Sequence, residues 1–179
     1  MEGRAYVVVS GVPGSGKSTL GRELAGALGF AVIDKDVVLE ALYDALGVGP
    51  EEWRGRLSRA ADEVLYAQAA RTPRAVLDNW WHPDASPPRL HALGGRLVQV
   101  HCDCDVATAS ARFRARRRHP GHLDPELTPE QVAERIAAVR AAYRGPLVLD
   151  APLVRVKTEA PARPPDLVAR VMALLGAQG

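Results

Sequence analysis

The chain has 179 residues, which suits one domain and suffices to bury roughly 70% of the unfolded surface in a single core. Apolar residues at 47% and charged residues at 25%, with no low-complexity tract, exclude the disordered and fibrous classes. The formal charge of +2, carried almost wholly by Arg beside Lys17, Lys35 and Lys157, is too small to argue for nucleic acid and is met equally well by a small anionic ligand such as a nucleotide.

Met1-Glu2-Gly3-Arg4 leads into a short apolar run without the parts of a signal peptide, and no stretch approaches the roughly 20 apolar residues that cross a bilayer. A strand is expected over residues 6–10, a helix over 18–28 and a second strand over 31–34. Val38, Leu39, Leu42 and Leu46 then recur on one helical face, and a further helix carries Trp53, Leu57, Ala61, Val64 and Leu65 up to Thr72-Pro73. Strands follow over 75–78 and 97–101. Cys102 and Cys104, two residues apart at a strand end, argue against a structural disulfide and for a reducing cytoplasm.

An Arg-rich helix from Val106 to about Arg118 runs into His119-Pro120-Gly121-His122, where Pro and Gly impose a loop. Thr128-Pro129-Glu130-Gln131 has the residues of a capped helix start, with Val132, Ile136, Val139 and Tyr143 on its buried face. A fifth strand over 153–157 precedes a last helix that begins near Pro164-Pro165-Asp166 and buries Leu167, Val171, Leu174 and Leu175. Strands alternating with helices predict an α/β fold with a five-stranded parallel sheet and helices on both faces, one domain over 1–179.

Gly11-Val12-Pro13-Gly14-Ser15-Gly16-Lys17-Ser18 matches G-x-x-x-x-G-K-[ST] between the first strand and the first helix. Glycines let the backbone curl until successive N–H groups face one anion at the positive end of the helix. Lys17 is expected on the β- and γ-phosphates of ATP and Ser18 on the Mg²⁺ that bridges them, with Thr19 completing the nucleotide-binding set.

In an open parallel sheet the ligand lies beyond the carboxyl ends of the strands, and two strands close on Asp. Asp34 is expected to serve the metal. Asp36 is the candidate general base, the alternative being that it only caps the helix that follows. Asp78 would serve either Mg²⁺ or the acceptor.

These residues resemble the P-loop kinases of the group that includes shikimate kinase, gluconate kinase, polynucleotide 5'-kinase and chloramphenicol phosphotransferase. Asp34-Lys35-Asp36 with Glu40 is similar to the Asp-x-Asp strand end and following Glu of shikimate kinase. The resemblance implies a P-loop, nucleoside-monophosphate-kinase-like fold with an Arg-rich lid over about 114–128. It also implies Arg112 and Arg116, one helical turn apart, on the nucleotide, with Arg116 acting on the moving phosphoryl and Arg117 and Arg118 at the lid. Val156-Lys157-Thr158-Glu159-Ala160-Pro161 resembles the fifth strand and the loop beside adenine. Asn79-Trp80-Trp81-His82-Pro83 departs from the glycine-rich stretch of shikimate kinase, so the acceptor is not expected to be shikimate.

Trp80 or Trp81 is expected to offer an indole face to the acceptor, the alternative being loop packing. Arg56 and Arg59 are candidates to hold an acidic acceptor, or are surface residues. His101, Cys102, Asp103, Cys104, His119 and His122 lack the spacing of a zinc site. The expected activity is transfer of the γ-phosphoryl of Mg-ATP to a hydroxyl of a small molecule. A polynucleotide 5'-hydroxyl kinase, an antibiotic-inactivating kinase and a non-kinase nucleotide switch are the alternatives, the switch disfavoured because no guanine motif of the Asn-Lys-x-Asp type occurs.

Overall fold

A computed structural model describes residues 3–122, 128–159 and 166–177. Strands β1 (Ala5–Ser10), β2 (Ala31–Asp34), β3 (Arg74–Asp78), β4 (Arg96–Asp103) and β5 (Leu153–Lys157) pair in parallel in the order β2-β3-β1-β4-β5. All five expected strands are present. The fourth runs two residues past the expected end at 101, because Cys102 and Asp103 pair with Val156 and Lys157.

The helices are α1 (Lys17–Leu28), α2 (Lys35–Leu46), α3 (Glu51–Arg71), α4 (Ser86–His91), α5 (Val106–Ala115), α6 (Pro129–Ala142) and α7 (Leu167–Gly176), with a 3-10 turn at Pro120–His122. Strand alternation explains how they cover both faces. Val7 and Val9 turn toward Leu24 of α1 and Val171 of α7, while Tyr6 and Val8 turn toward Leu65 and Ala69 of α3 and Leu90 of α4. Each fully buried Val or Leu contributes roughly 1.5–3 kcal/mol, so β1, buried along its whole length, anchors the loop that follows it. The Tyr6 hydroxyl donates to the carbonyls of Ala69 (2.9 Å) and Thr72 (3.1 Å) and ties the end of α3 to this strand.

Several local expectations need correction. Leu46 is 55% exposed, and Tyr43 takes the buried place on α2, packing with Leu39, Leu57 and Ala61. Val64 is 37% exposed. Helix α4 was not among the expected elements; its Pro87 and Pro88 stand in the first turn, where no N–H is needed. Helix α5 stops at Ala115, so Arg112 and Arg116 do not share a helical face. Arg116 is already extended (φ −78°, ψ 141°), although its N–H still closes the last turn onto Arg112.

The expected helix start at Thr128 is present. The Thr128 N–H donates to Gln131 Oε1 (2.9 Å), and the Gln131 N–H donates to Thr128 Oγ1 (3.3 Å). The side chains of Val132 and Ile136, and Ala160, Pro161, Pro164, Pro165 and residues 123–127 of the expected lid, lie outside the described residues. Among those described, no helix is long and apolar enough to cross a membrane.

Candidate functional site

A cavity of about 330 Å³ opens at the carboxyl ends of the central strands, the crevice where a doubly wound sheet takes its ligand. Its floor is the phosphate loop. Gly14 has φ +83°, and a side chain there would collide with the Ala109 carbonyl of α5, so only glycine lets helix and loop approach this closely. Gly16 caps α1 without a side-chain hydrogen bond, which leaves the first N–H groups of α1 to an anion. Gly11, Val12, Pro13 and Ser15 complete the curl through a bond from the Ser15 N–H to the Val12 carbonyl (3.0 Å). Lys17 donates to the same carbonyl (3.3 Å) and lines the cavity with Ser18, whereas Thr19 is exposed and does not.

Asp34 and Asp78 are register partners on β2 and β3, so their carboxylates face one space. Burial, reinforced by Asp78, pushes the Asp34 carboxyl up to about 6. Burial also raises Asp78 above the ordinary carboxylate value, with Lys17 opposing, and its Oδ2 is buried without a partner. Lys17 itself is held below its ordinary value by burial, with Asp78 opposing. Asp34, not Asp36, caps α2, accepting from the Asp36 N–H (2.9 Å). Relieved of the cap, Asp36 stands in the first turn of α2 with half its side chain exposed to the cavity.

Arg118 donates to Asp36 Oδ2 at 2.7 Å. His122 Nε2 lies 2.9 Å from Glu40 Oε1, and His119 Nε2 lies 3.0 Å from Asp44 Oδ1. Asp36, Glu40 and Asp44 are spaced by four, so one stripe of α2 receives the whole 118–122 segment. Burial, then the adjacent Arg118, holds His122 below its ordinary value. Arg116 lines the cavity with its guanidinium over the Phe113 ring (4.5 Å). Arg112 turns elsewhere, donating to the carbonyls of Thr158 and Glu159, both at 2.7 Å.

The two tryptophans separate. Trp80 is 45% exposed on the cavity wall, inclined against Tyr143 (6.3 Å between rings), whereas Trp81 is 7% exposed in the core and donates to the Val9 carbonyl (2.7 Å). The expectation of an acceptor contact therefore fails for Trp81, whose indole N–H is spent on β1. Arg56 and Arg59 are exposed on α3 away from the cavity lining, and Arg56 stacks over Trp53 instead (5.4 Å).

Sequence reasoning missed Asn79 as a site residue, although it follows Asp78 and lines the cavity. It also missed that His101 links Ser10 Oγ (2.9 Å from Nδ1) to the Tyr143 hydroxyl (2.7 Å from Nε2). A His at the end of the expected strand over 97–101 was the available signal.

A family model described as an AAA domain matches residues 7–142. Over 169 residues the chain is 33% identical to the shikimate kinase of Mycobacterium bovis (strain BCG / Pasteur 1173P2), covering 91% of this chain and 88% of the relative. A candidate kinase of known structure from Chloroflexus aurantiacus j-10-fl superimposes with a TM-score of 0.83 at 27% identity, over 97% of this chain and 100% of that one. The gluconokinase of Sinorhizobium meliloti 1021 shares the fold, with a TM-score of 0.54 at 18% identity over 99% and 95% of the two chains. With the phosphate loop at the end of β1 and the carboxylates beside it, these matches identify the chain as a member of the P-loop kinases of the shikimate kinase group, enzymes whose phosphate acceptor is a hydroxyl.

Proposed function

We propose that the protein moves the γ-phosphoryl of Mg-ATP to a hydroxyl of a small molecule, with Asp36 as the general base. The observation that carries this reading is one cavity lined both by Lys17 and Ser18 of the phosphate loop and by Asp36, so donor and acceptor share a single chamber. Membership of the kinases sets aside the nucleotide switch. The names of the relatives, shikimate kinase and gluconokinase, favour a small acceptor over a polynucleotide end.

Ser18, Asp34 and Asp78 are the residues that would hold Mg²⁺. They offer hard oxygen ligands, and Asp78 Oδ2 is buried without a partner beside a second carboxylate, an arrangement that a divalent cation relieves. When bound, the ion neutralises charge on the phosphate oxygens.

The chain's own groups do the rest. The N–H groups of the phosphate loop and Lys17 hold the β- and γ-phosphates, and Arg116 offers a cation to the charge spread over the moving phosphoryl. Arg118 on Oδ2 fixes the Asp36 carboxylate and leaves Oδ1 for the acceptor hydroxyl. The hydroxyl oxygen bonds to the γ-phosphorus as the bond to the β,γ-bridging oxygen breaks, the hydroxyl proton goes to Asp36, and ADP leaves with the bridging oxygen. Arg112, by anchoring residues 158–159, shapes the wall expected beside the adenine of ATP. The setting is the cytoplasm, where Mg-ATP is abundant.

The test is incubation of purified protein with Mg-ATP and a panel of alcohols, following ADP release and mass. Gain of one phosphate on an alcohol, matched by ADP, is the expected result. ATP hydrolysis with every alcohol unmodified would overturn it.

A further inference from the structure

Asn79 is 7% exposed and lines the cavity directly after β3. Its amide nitrogen donates to Asp62 Oδ1 at 2.8 Å. A carboxylate only accepts, so this bond fixes the amide's orientation, with the nitrogen toward α3 and the oxygen away from it. Asp62 is held in turn by Lys35, whose Nζ lies 3.9 Å from Asp62 Oδ2 and donates to Ser58 Oγ at 2.7 Å. The amide oxygen that this chain of contacts turns away is buried and has no partner. Leaving such an oxygen unpaired costs about 1–3 kcal/mol, a cost that a ligand donor at this wall would recover.

Trp80 is the next residue on the same wall. Tyr143 backs its indole, and the Tyr143 hydroxyl is anchored on the buried His101. This side of the cavity thus carries a braced apolar face, Asn79 with its unsatisfied buried amide oxygen, and the carboxylate of Asp36. Of the cavity's cations, Arg118 is paired with Asp36, and Lys17 and Arg116 are those assigned above to the phosphates. A wall of hydrogen-bond acceptors beside an indole complements hydroxyl donors on a ring with an apolar face and repels an anion.

Resting on the kinase reading above, we infer that the acceptor is a cyclic polyol without an anionic group. Its ring stacks on Trp80, one hydroxyl meets Asp36, and a second hydroxyl donates to Asn79 Oδ1. Asn79 is then the residue that selects for the second hydroxyl.

The experiment uses the full chain with Mg-ATP and five probes: methyl β-glucopyranoside, myo-inositol, shikimate, gluconate and benzyl alcohol. Expected is a kcat/KM on a neutral cyclic polyol at least ~10-fold above those on the two carboxylates and on the single-hydroxyl aromatic. Asn79→Ala should lower kcat/KM for that polyol by about 10-fold or more, mostly through KM, leave the KM for ATP within about twofold, and cost nothing on the monodeoxy analogue that lacks the second hydroxyl. Asn79→Ser, a smaller disturbance to Asp62, serves if the Ala variant melts early. Faster transfer to shikimate or gluconate would overturn the acceptor class and leave the kinase reading standing. An equal loss on polyol and deoxy analogue would overturn the role of Asn79. ATP turnover without transfer to any of the five, or no turnover at all, would overturn both the class and the kinase reading.

Discussion

Arg118 and Asp36, 82 residues apart in sequence, meet at 2.7 Å and join the segment after α5 to the first turn of α2. The pair holds the carboxylate read as the base at the cavity mouth. A general base contributes roughly 10²–10⁴ in rate, so Asp36→Asn is expected to lower kcat by about that range while ATP affinity is spared. Steady-state ADP release and calorimetric ATP binding check both halves. Near-normal turnover in the Asn variant would remove Asp36 from the chemistry.

Lys17 carries the opposite expectation. It is the phosphate loop's cation, so Lys17→Ala should weaken Mg-ATP binding and lower transfer by about 10²–10³. A titration of ATP against both proteins decides it, and unchanged affinity would contradict the nucleotide assignment.

The strands, the phosphate loop and the two Asp-terminated strands were legible in sequence because each is a local signal: a β-branched run, a glycine spacing, a carboxylate at a run's end. What stayed hidden depends on long-range packing. Nothing local separates Trp80 from Trp81, since the division is made by the Val9 carbonyl 72 residues away. Asn79 carries no local signal of a role, which shows only where Asp62 holds its amide. Helix α5 ends at Ala115, and Arg118, His119 and His122 beyond it meet α2 through partners 75 to 82 residues away that no pattern within residues 106–118 shows.

That division of the tryptophans is measurable. Trp81→Phe removes a buried hydrogen bond and should destabilise by about 1–2 kcal/mol, whereas Trp80→Phe, at a partly exposed position, should stay within about 0.5 kcal/mol. Urea midpoints of the two variants would show the reverse order if the assignments were exchanged.

His101 should make stability depend on pH. Burial holds its pKa below the ordinary 6.5, with Asp103 opposing. A depressed folded value means that the folded protein binds fewer protons, so the contribution is full above the ordinary value and is lost as pH falls through it toward the folded value. The urea midpoint is expected to drop between about pH 7 and pH 5, and His101→Gln to flatten that slope. A wild-type slope retained in the variant would assign the effect elsewhere.

Gly121 lies against the Tyr43 ring, and a methyl group there would overlap the aromatic carbons. Gly121→Ala should therefore loosen the docking of 118–122 on α2 by about 1–3 kcal/mol and speed amide exchange over 116–122. Exchange as slow as in the wild type would show that the segment is held by something other than this contact.

Arg112 gives α5 a different attachment on its other side. Its guanidinium grips the carbonyls of Thr158 and Glu159 just past β5, so the helix is bolted to the edge of the sheet while its continuation crosses to α2. The arrangement is that of a hinge with one fixed leaf. Swinging the free leaf outward breaks the contacts to Asp36, Glu40 and Asp44 and leaves Ala109 seated on Gly14. The contacts that close the cavity mouth on α2 are thus separate from those that seat α5 on the phosphate loop and on the end of β5.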